Sequence, residues 1–142
     1  VYKRQDLERS GRSDYRAMTT SELLDVAQSD WIDIGGHTVT HPSLSTLSAE
    51  AQRAEIVGGL NRLESILGSH VLTFAYPFGT PQDFTDETAK IVGDAGFSAA
   101  FTTVPGYIES GDNLFRLRRG PVFDWGAGIF QQQLERYFLE RE

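Results

Sequence analysis

The 142-residue sequence contains no cysteine. Disulfide scaffolds, thiolate metal sites and cysteine nucleophiles are therefore excluded. It also lacks a basic surplus: 13 Lys and Arg stand against 20 Asp and Glu, a formal charge of −7. Without excess cations to release counterions, a nucleic-acid backbone is not an expected partner. A polybasic membrane-surface element is excluded on the same ground. Nowhere do about eighteen apolar residues run together, so no transmembrane segment is expected. The first residue is Val rather than Met, and the chain is expected to be part of a longer one. Hydrophobic residues make up 39% and aromatic residues 11%, enough for a core in a chain of ordinary domain size.

Residues 1–18 are polar and without clear periodicity, and read as a linker or irregular segment; 19–142 form the structured portion. Thr19 to Glu22 has the S/T-x-x-E form of a capping box, opening a helix to about Ala27. Trp31 to Ile34 reads as a short strand ended by Gly35-Gly36. Ser48 is placed to cap a long helix from Ala49 to Leu67. Its Ile56, Leu60, Leu63 and Leu67 form one apolar stripe, and Gly68 stops it. Gly58 and Gly59 inside that helix read as close packing against a neighbour. His70 to Tyr76 reads as a buried strand. A helix capped by Asp83 or Thr85 then runs to about Ala95, and a further strand covers Phe97 to Thr103. An extended piece near Leu114–Leu117 and a helix from Gly126 to Glu140 complete the chain. Alternating helices and strands predict an α/β fold with a parallel sheet and right-handed crossovers. In such folds the site lies at the carboxyl ends of the strands. His37-Thr38-Val39-Thr40-His41 follows the first strand, and Tyr76-Pro77-Phe78-Gly79 follows the second, so both face one end.

His37 and His41 are spaced i, i+4, which brings two imidazoles to one side of a turn. They read either as ligands of a divalent metal such as zinc or as two loop histidines bonded to backbone. A catalytic centre usually needs a third protein ligand, here expected to be a carboxylate. Asp33 lies too early on its strand, and His70 sits at the wrong end of the sheet, as a structural or solvent-facing residue. Tyr76-Pro77-Phe78-Gly79 reads either as a pocket wall with a backbone N–H aimed at a developing oxyanion or as a plain turn with packed aromatics. Among Arg116, Arg118 and Arg119, period-two alternation turns Arg119 to the side opposite the other two. Trp125 either caps the last helix with Asp124 or lines a sugar site.

Taken together, these residues resemble a known family. Gly35-Gly36-His37-Thr38-Val39-Thr40-His41-Pro42 resembles the H-[ST]-x-x-H motif of polysaccharide deacetylases, the NodB-homology carbohydrate esterases. Phe74 to Gly79, Ala95 to Ala100 and Leu117-Arg118-Arg119 resemble the family's later segments in order and spacing, over roughly residues 19–123. The resemblance implies the C-terminal part of a distorted (β/α) barrel that removes acetyl groups from acetylated polysaccharide, N-acetyl on GlcNAc units above all. It implies a divalent metal, zinc, held by His37, His41 and an Asp, with attack by metal-bound water and an Asp as base. It further implies that the Phe78 N–H stabilises the oxyanion and that Tyr76, Pro77, Phe78 and Trp125 contact substrate. The family's T-F-D-D-G motif, the source of both Asp residues, is not in this sequence, nor is the late L-x-x-H. Acting alone, the chain is expected to be inactive and to self-associate through exposed sheet edges. The Arg that braces the base in many members is replaced here by Ala75, and Arg119 is expected to supply that guanidinium. Two other readings are a non-catalytic carbohydrate-binding or structural barrel of the same fold, and an unrelated zinc hydrolase with a chance H-T-V-T-H.

Overall fold

A computed structural model describes residues 16–139. The expected linker lies mostly outside the described residues. Helix α1 spans Thr20–Ala27 and opens on the predicted capping box. Thr19 Oγ1 accepts from the Glu22 N–H, and the Glu22 carboxylate takes the Thr19 N–H at 2.8 Å. Arg16 pairs with the same carboxylate. The Arg16 and Thr19 hydrogen bonds hold the Glu22 carboxyl down to about 2. A depressed carboxyl stabilises the fold above its unfolded pKa of about 4.3 and loses that contribution as pH falls through the native value. The first turn of α1 is therefore expected to stay capped at pH 4 and to fray near pH 2. An NMR titration of Glu22 with a midpoint above 4 would contradict this.

A short 3-10 turn at Leu44–Thr46 leads into α2, Ala49–Leu67. Both ends of α2 match the sequence reading: Ser48 Oγ accepts from the Ala51 N–H, and Gly68 takes a left-handed φ of 69°. Strand β1 (Thr73–Ala75) pairs in parallel with β2 (Ala99–Phe101), with α3 (Asp86–Asp94, capped by Thr85) as the crossover. Helix α4 is Ala127–Leu139. Single bridges extend the ladder on both sides, Gly36 to Phe74 and Phe101 to Leu117, each parallel. Four segments thus run in one direction, and their carboxyl ends lie together. Among the described residues, no helix is long and apolar enough to cross a membrane.

The strand expected at Trp31–Ile34 is not formed. Pairing begins only at Gly36, whose N–H bonds Thr73 O at 2.8 Å and whose carbonyl takes the Ala75 N–H at 2.9 Å. Trp31 is 95% exposed, whereas Ile34 is half-buried, so this segment runs beside the ladder without entering it.

The core collects Leu44, Ile56, Leu60, Val71, Phe74, Tyr76, Phe84, Ile91, Val92 and Phe97 between the helices and the ladder. Gly36 is needed there by close approach. A Cβ on it would lie 2.8 Å from Phe97 Cζ and 3.2 Å from Phe74 Cδ2, so a side chain would push the rings off the strand before the histidine loop.

Candidate functional site

The carboxyl ends of the four parallel segments bring His37, His41, Phe78 and Arg119 into one neighbourhood. The His37 and His41 rings are 4.7 Å apart between centroids and meet edge to face. His37 Nδ1 lies 2.7 Å from Ala75 O, at the end of β1. A carbonyl only accepts, so Nδ1 carries the proton and Nε2 keeps its lone pair. That is the arrangement a metal-ligating histidine adopts. Burial pushes the His37 pKa down, and the charges on His41 and Arg119 push it the same way. The Ala75 hydrogen bond opposes them without restoring the ordinary value. The neutral ring is therefore favoured at pH 7.

Among the described residues, three that are not glycine have positive φ: Thr38 at 65°, His41 at 60° and Phe78 at 60°. Each costs on the order of 1–3 kcal/mol and persists only where the surroundings over-determine it. All three converge here, since the His41 ring sits 4.9 Å from that of Phe78. On the Phe78 side, Thr103 provides the hold. Its Oγ1 donates to Phe78 O at 2.7 Å, and its N–H donates to Gly79 O at 2.9 Å. No acceptor among the described residues takes the Phe78 N–H.

On the histidine side, Thr38 Oγ1 accepts the His41 N–H at 3.1 Å. The Glu55 carboxylate, from α2, accepts the Val39 and Thr40 N–H groups at 2.9 and 2.8 Å and the Thr40 hydroxyl at 2.7 Å. Burial raises the Glu55 carboxyl, but these three hydrogen bonds outweigh it and leave it below the ordinary carboxylate range. Gly59, one turn on, allows the approach: a Cβ there would sit 3.1 Å from the Thr38 carbonyl carbon and oxygen. Gly59→Ala would gain roughly 1 kcal/mol of helix propensity and press on backbone already held in a left-handed turn. We expect a net loss of about 1–3 kcal/mol, the usual cost of overpacking. Denaturant unfolding showing a net gain would contradict it.

The three arginines separate as the alternation predicts. Arg116 pairs with Asp86 and lies 5.4 Å over the Phe84 ring. Arg118 lies against Gly106. Arg119 turns the other way: its Nε donates to Thr102 O at 2.7 Å, and its charge reaches His37. Together with Thr103, Pro105, Gly120 and Pro121 it lines a cavity of about 290 Å³.

Two sequence-based assignments are corrected. Tyr76 is 1% exposed, stacks on Phe84 at 3.9 Å and donates its hydroxyl to Phe115 O. Pro77 is likewise fully buried. Both support the loop from beneath, and neither side chain forms a pocket wall. Phe78 is 42% exposed. Trp125 is half-buried, its ring edge to face with Phe123. His70 Nδ1 lies 3.2 Å from a Glu64 carboxylate oxygen, before β1 and at the amino end of the ladder. Glu55 and the Ala75 carbonyl, which orient the histidine loop, were not singled out from the sequence.

Two imidazoles side by side, one with its tautomer set, suit a borderline cation such as zinc. Among the described residues, no third His, Asp or Glu joins them.

Residues 11–100 match the family model for polysaccharide deacetylase. The chain belongs to the polysaccharide deacetylase family. It is 24% identical over 102 residues to YxkH of Bacillus subtilis (strain 168), itself named for this family, covering 72% of this chain and 35% of that protein. The fold is similar to that of the Streptococcus pyogenes deacetylase PplD, solved in complex with acetate, with a TM-score of 0.75, 22% identity, and coverage of 84% of this chain and 52% of that one. It is also similar to the polysaccharide deacetylase BC0361 of Bacillus cereus, with a TM-score of 0.65, 28% identity, and coverage of 76% and 33%. The chain therefore spans between a third and about half of the length of these relatives.

Proposed function

We propose that this chain carries the two histidine ligands of a zinc-dependent deacetylase centre acting on acetyl groups, N-acetyl on GlcNAc-containing polysaccharide in particular. The observation that carries the reading is the His37 Nδ1 to Ala75 O bond, which presents Nε2 beside His41 at the carboxyl end of the parallel ladder. The third ligand is a carboxylate from outside the described residues. A bound divalent ion would supply Lewis acidity and lower the pKa of water.

The chain's own residues would do the rest. His37, through Nε2, and His41, through a ring nitrogen, would hold the ion. The Phe78 N–H, without a partner among the described residues, donates to the oxygen on which negative charge develops. Arg119, fixed by Nε to Thr102 O, offers its remaining N–H groups to the base carboxylate in place of the arginine that Ala75 replaces. Phe78 and Trp125 give apolar surface to the sugar ring. The family and fold matches do not favour a non-catalytic barrel.

The test is acetate release from an acetylated chito-oligosaccharide by the protein in its full reading frame. Release should cease with a chelator and return with zinc. A full-length protein that takes up zinc and releases no acetate from any acetylated glycan would refute the reading.

A further inference from the structure

We propose that Glu55 is the positioning residue of the metal centre. Its carboxylate, anchored in α2, holds the 37–41 loop in the left-handed form that sets His37 and His41 side by side. The affinity consequence rests on the metal-site reading given above, whereas the conformational consequence does not.

Thr38 and His41 both carry left-handed backbone without being glycine. A free loop of this composition would relax to extended or right-handed values. Something must therefore pin the two residues between them, and Val39 and Thr40 are those residues. Their consecutive N–H groups both point at Glu55 Oε2, while Oε1 takes the Thr40 hydroxyl. One carboxylate thus captures three donors from the middle of the loop, and charge-assisted bonds of this kind are the stronger class. No other acidic residue bonds these donors, among the described residues.

The anchor point is rigid. Glu55 precedes Ile56, which is 1% exposed in the core, so the carboxylate moves only with a packed helix. Gly59, one turn further along the same helix, lets the Thr38 backbone lie against it. The loop is thus gripped at Thr38 by contact and at Val39 and Thr40 by hydrogen bonds, with the two histidines on either side of the grip. Glu55 bonds neither histidine among the described residues, so it is not a ligand. It acts on the ion only through the loop.

The experiment compares the protein in its full reading frame with Glu55→Ala, Glu55→Gln and Thr40→Val. Zinc affinity is read by competition with a chelating dye, and loop conformation by three-bond amide couplings at Thr38 and His41 without metal. Loss of an outer partner of a metal ligand typically lowers affinity about 10- to 100-fold. Glu55→Ala should fall in that range and shift both couplings away from left-handed values. Glu55→Gln, which has one acceptor oxygen where the carboxylate has two, should fall between it and the native protein. Thr40→Val removes one of the three bonds and leaves α2 untouched, so it should lose several-fold even if Glu55→Ala fails to fold. Glu50→Ala, on the same helix, is the control and should change nothing. Unchanged couplings at Thr38 and His41 in Glu55→Gln and Thr40→Val would overturn the proposal, whether or not the protein binds zinc. A native protein that keeps these couplings yet binds no zinc would instead refute the metal-site reading. Rearranged couplings together with weakened zinc binding would sustain the proposal, whereas rearranged couplings with native zinc affinity would overturn Glu55's role at the metal centre.

Discussion

His37→Ala is expected to lower zinc affinity by well over 100-fold while leaving the protein folded and its unfolding cooperative. The two halves of this result have different physical sources. Removing a ligand should exceed the roughly 10- to 100-fold loss seen when only an outer partner of a ligand is removed. The cost to stability is small by comparison. His37 lies in an exposed loop and makes one hydrogen bond, to Ala75 O. A typical internal hydrogen bond contributes about 0.5–1.5 kcal/mol net, and water can replace this one. His41→Ala should behave alike. His70→Ala should not alter zinc affinity, because His70 lies at the other end of the ladder with Glu64 as its partner. Loss of zinc affinity in His70→Ala with none in His37→Ala would move the metal to a different place in the molecule.

Phe74→Ala is expected to be the most destabilising single substitution in the ladder, at about 3–5 kcal/mol. Phe74 is 1% exposed. Its ring meets Tyr76 edge to face at 5.4 Å and Phe97 at 5.2 Å. Its backbone is bridged to Gly36 on one side and paired with Ala100 on the other. Truncation removes one of the two largest fully buried side chains, and the Phe97 ring, packed against Gly36 as well, cannot close the gap without pressing on that strand. Domains of this size are stable by only about 5–15 kcal/mol, so a large share would be lost. Denaturant unfolding should show a lower midpoint with an unchanged slope. Phe78→Ala provides the contrast, since 42% of that residue is already in water. A loss below about 1 kcal/mol for Phe74→Ala would mean that the ladder is not packed as described.

Where local chemistry decides, the sequence reads well. Helix α2 was legible to the residue, because Ser48 and Gly68 mark both ends and the Ile56-to-Leu67 stripe fills the interval. The separation of Arg119 from Arg116 and Arg118 followed from period two alone. The meeting of the two motifs followed from the parallel alternation. Strands were harder to bound: the apolar run from His70 to Tyr76 is longer than the three residues that pair, because ladder length is set by the neighbour and not by the strand. Trp31–Ile34 shows the same effect, since backbone pairing on that side begins only at Gly36. Tyr76 reads both as the end of a buried strand and, by resemblance, as a substrate contact, and the first reading carries the physical signal. It stands two residues from Phe74, and period two puts both on one face, so a buried Phe74 implies a buried Tyr76. Glu55 carried no such signal, since a glutamate on the polar side of a helix reads as solvated. The left-handed backbone at Thr38, His41 and Phe78 was equally silent, because none of the three is glycine.

The central claim is that His37 and His41 together present imidazole nitrogens to one divalent ion. Its most direct test is a long-range proton–nitrogen NMR spectrum of the three histidines, recorded on the protein before and after zinc is added. The Nε2 signal of His37 and one ring nitrogen of His41 should move together, while His37 Nδ1 keeps its proton and His70 does not move. Zinc that shifts His70 alone, or leaves the His37 and His41 nitrogens in place, would contradict the claim.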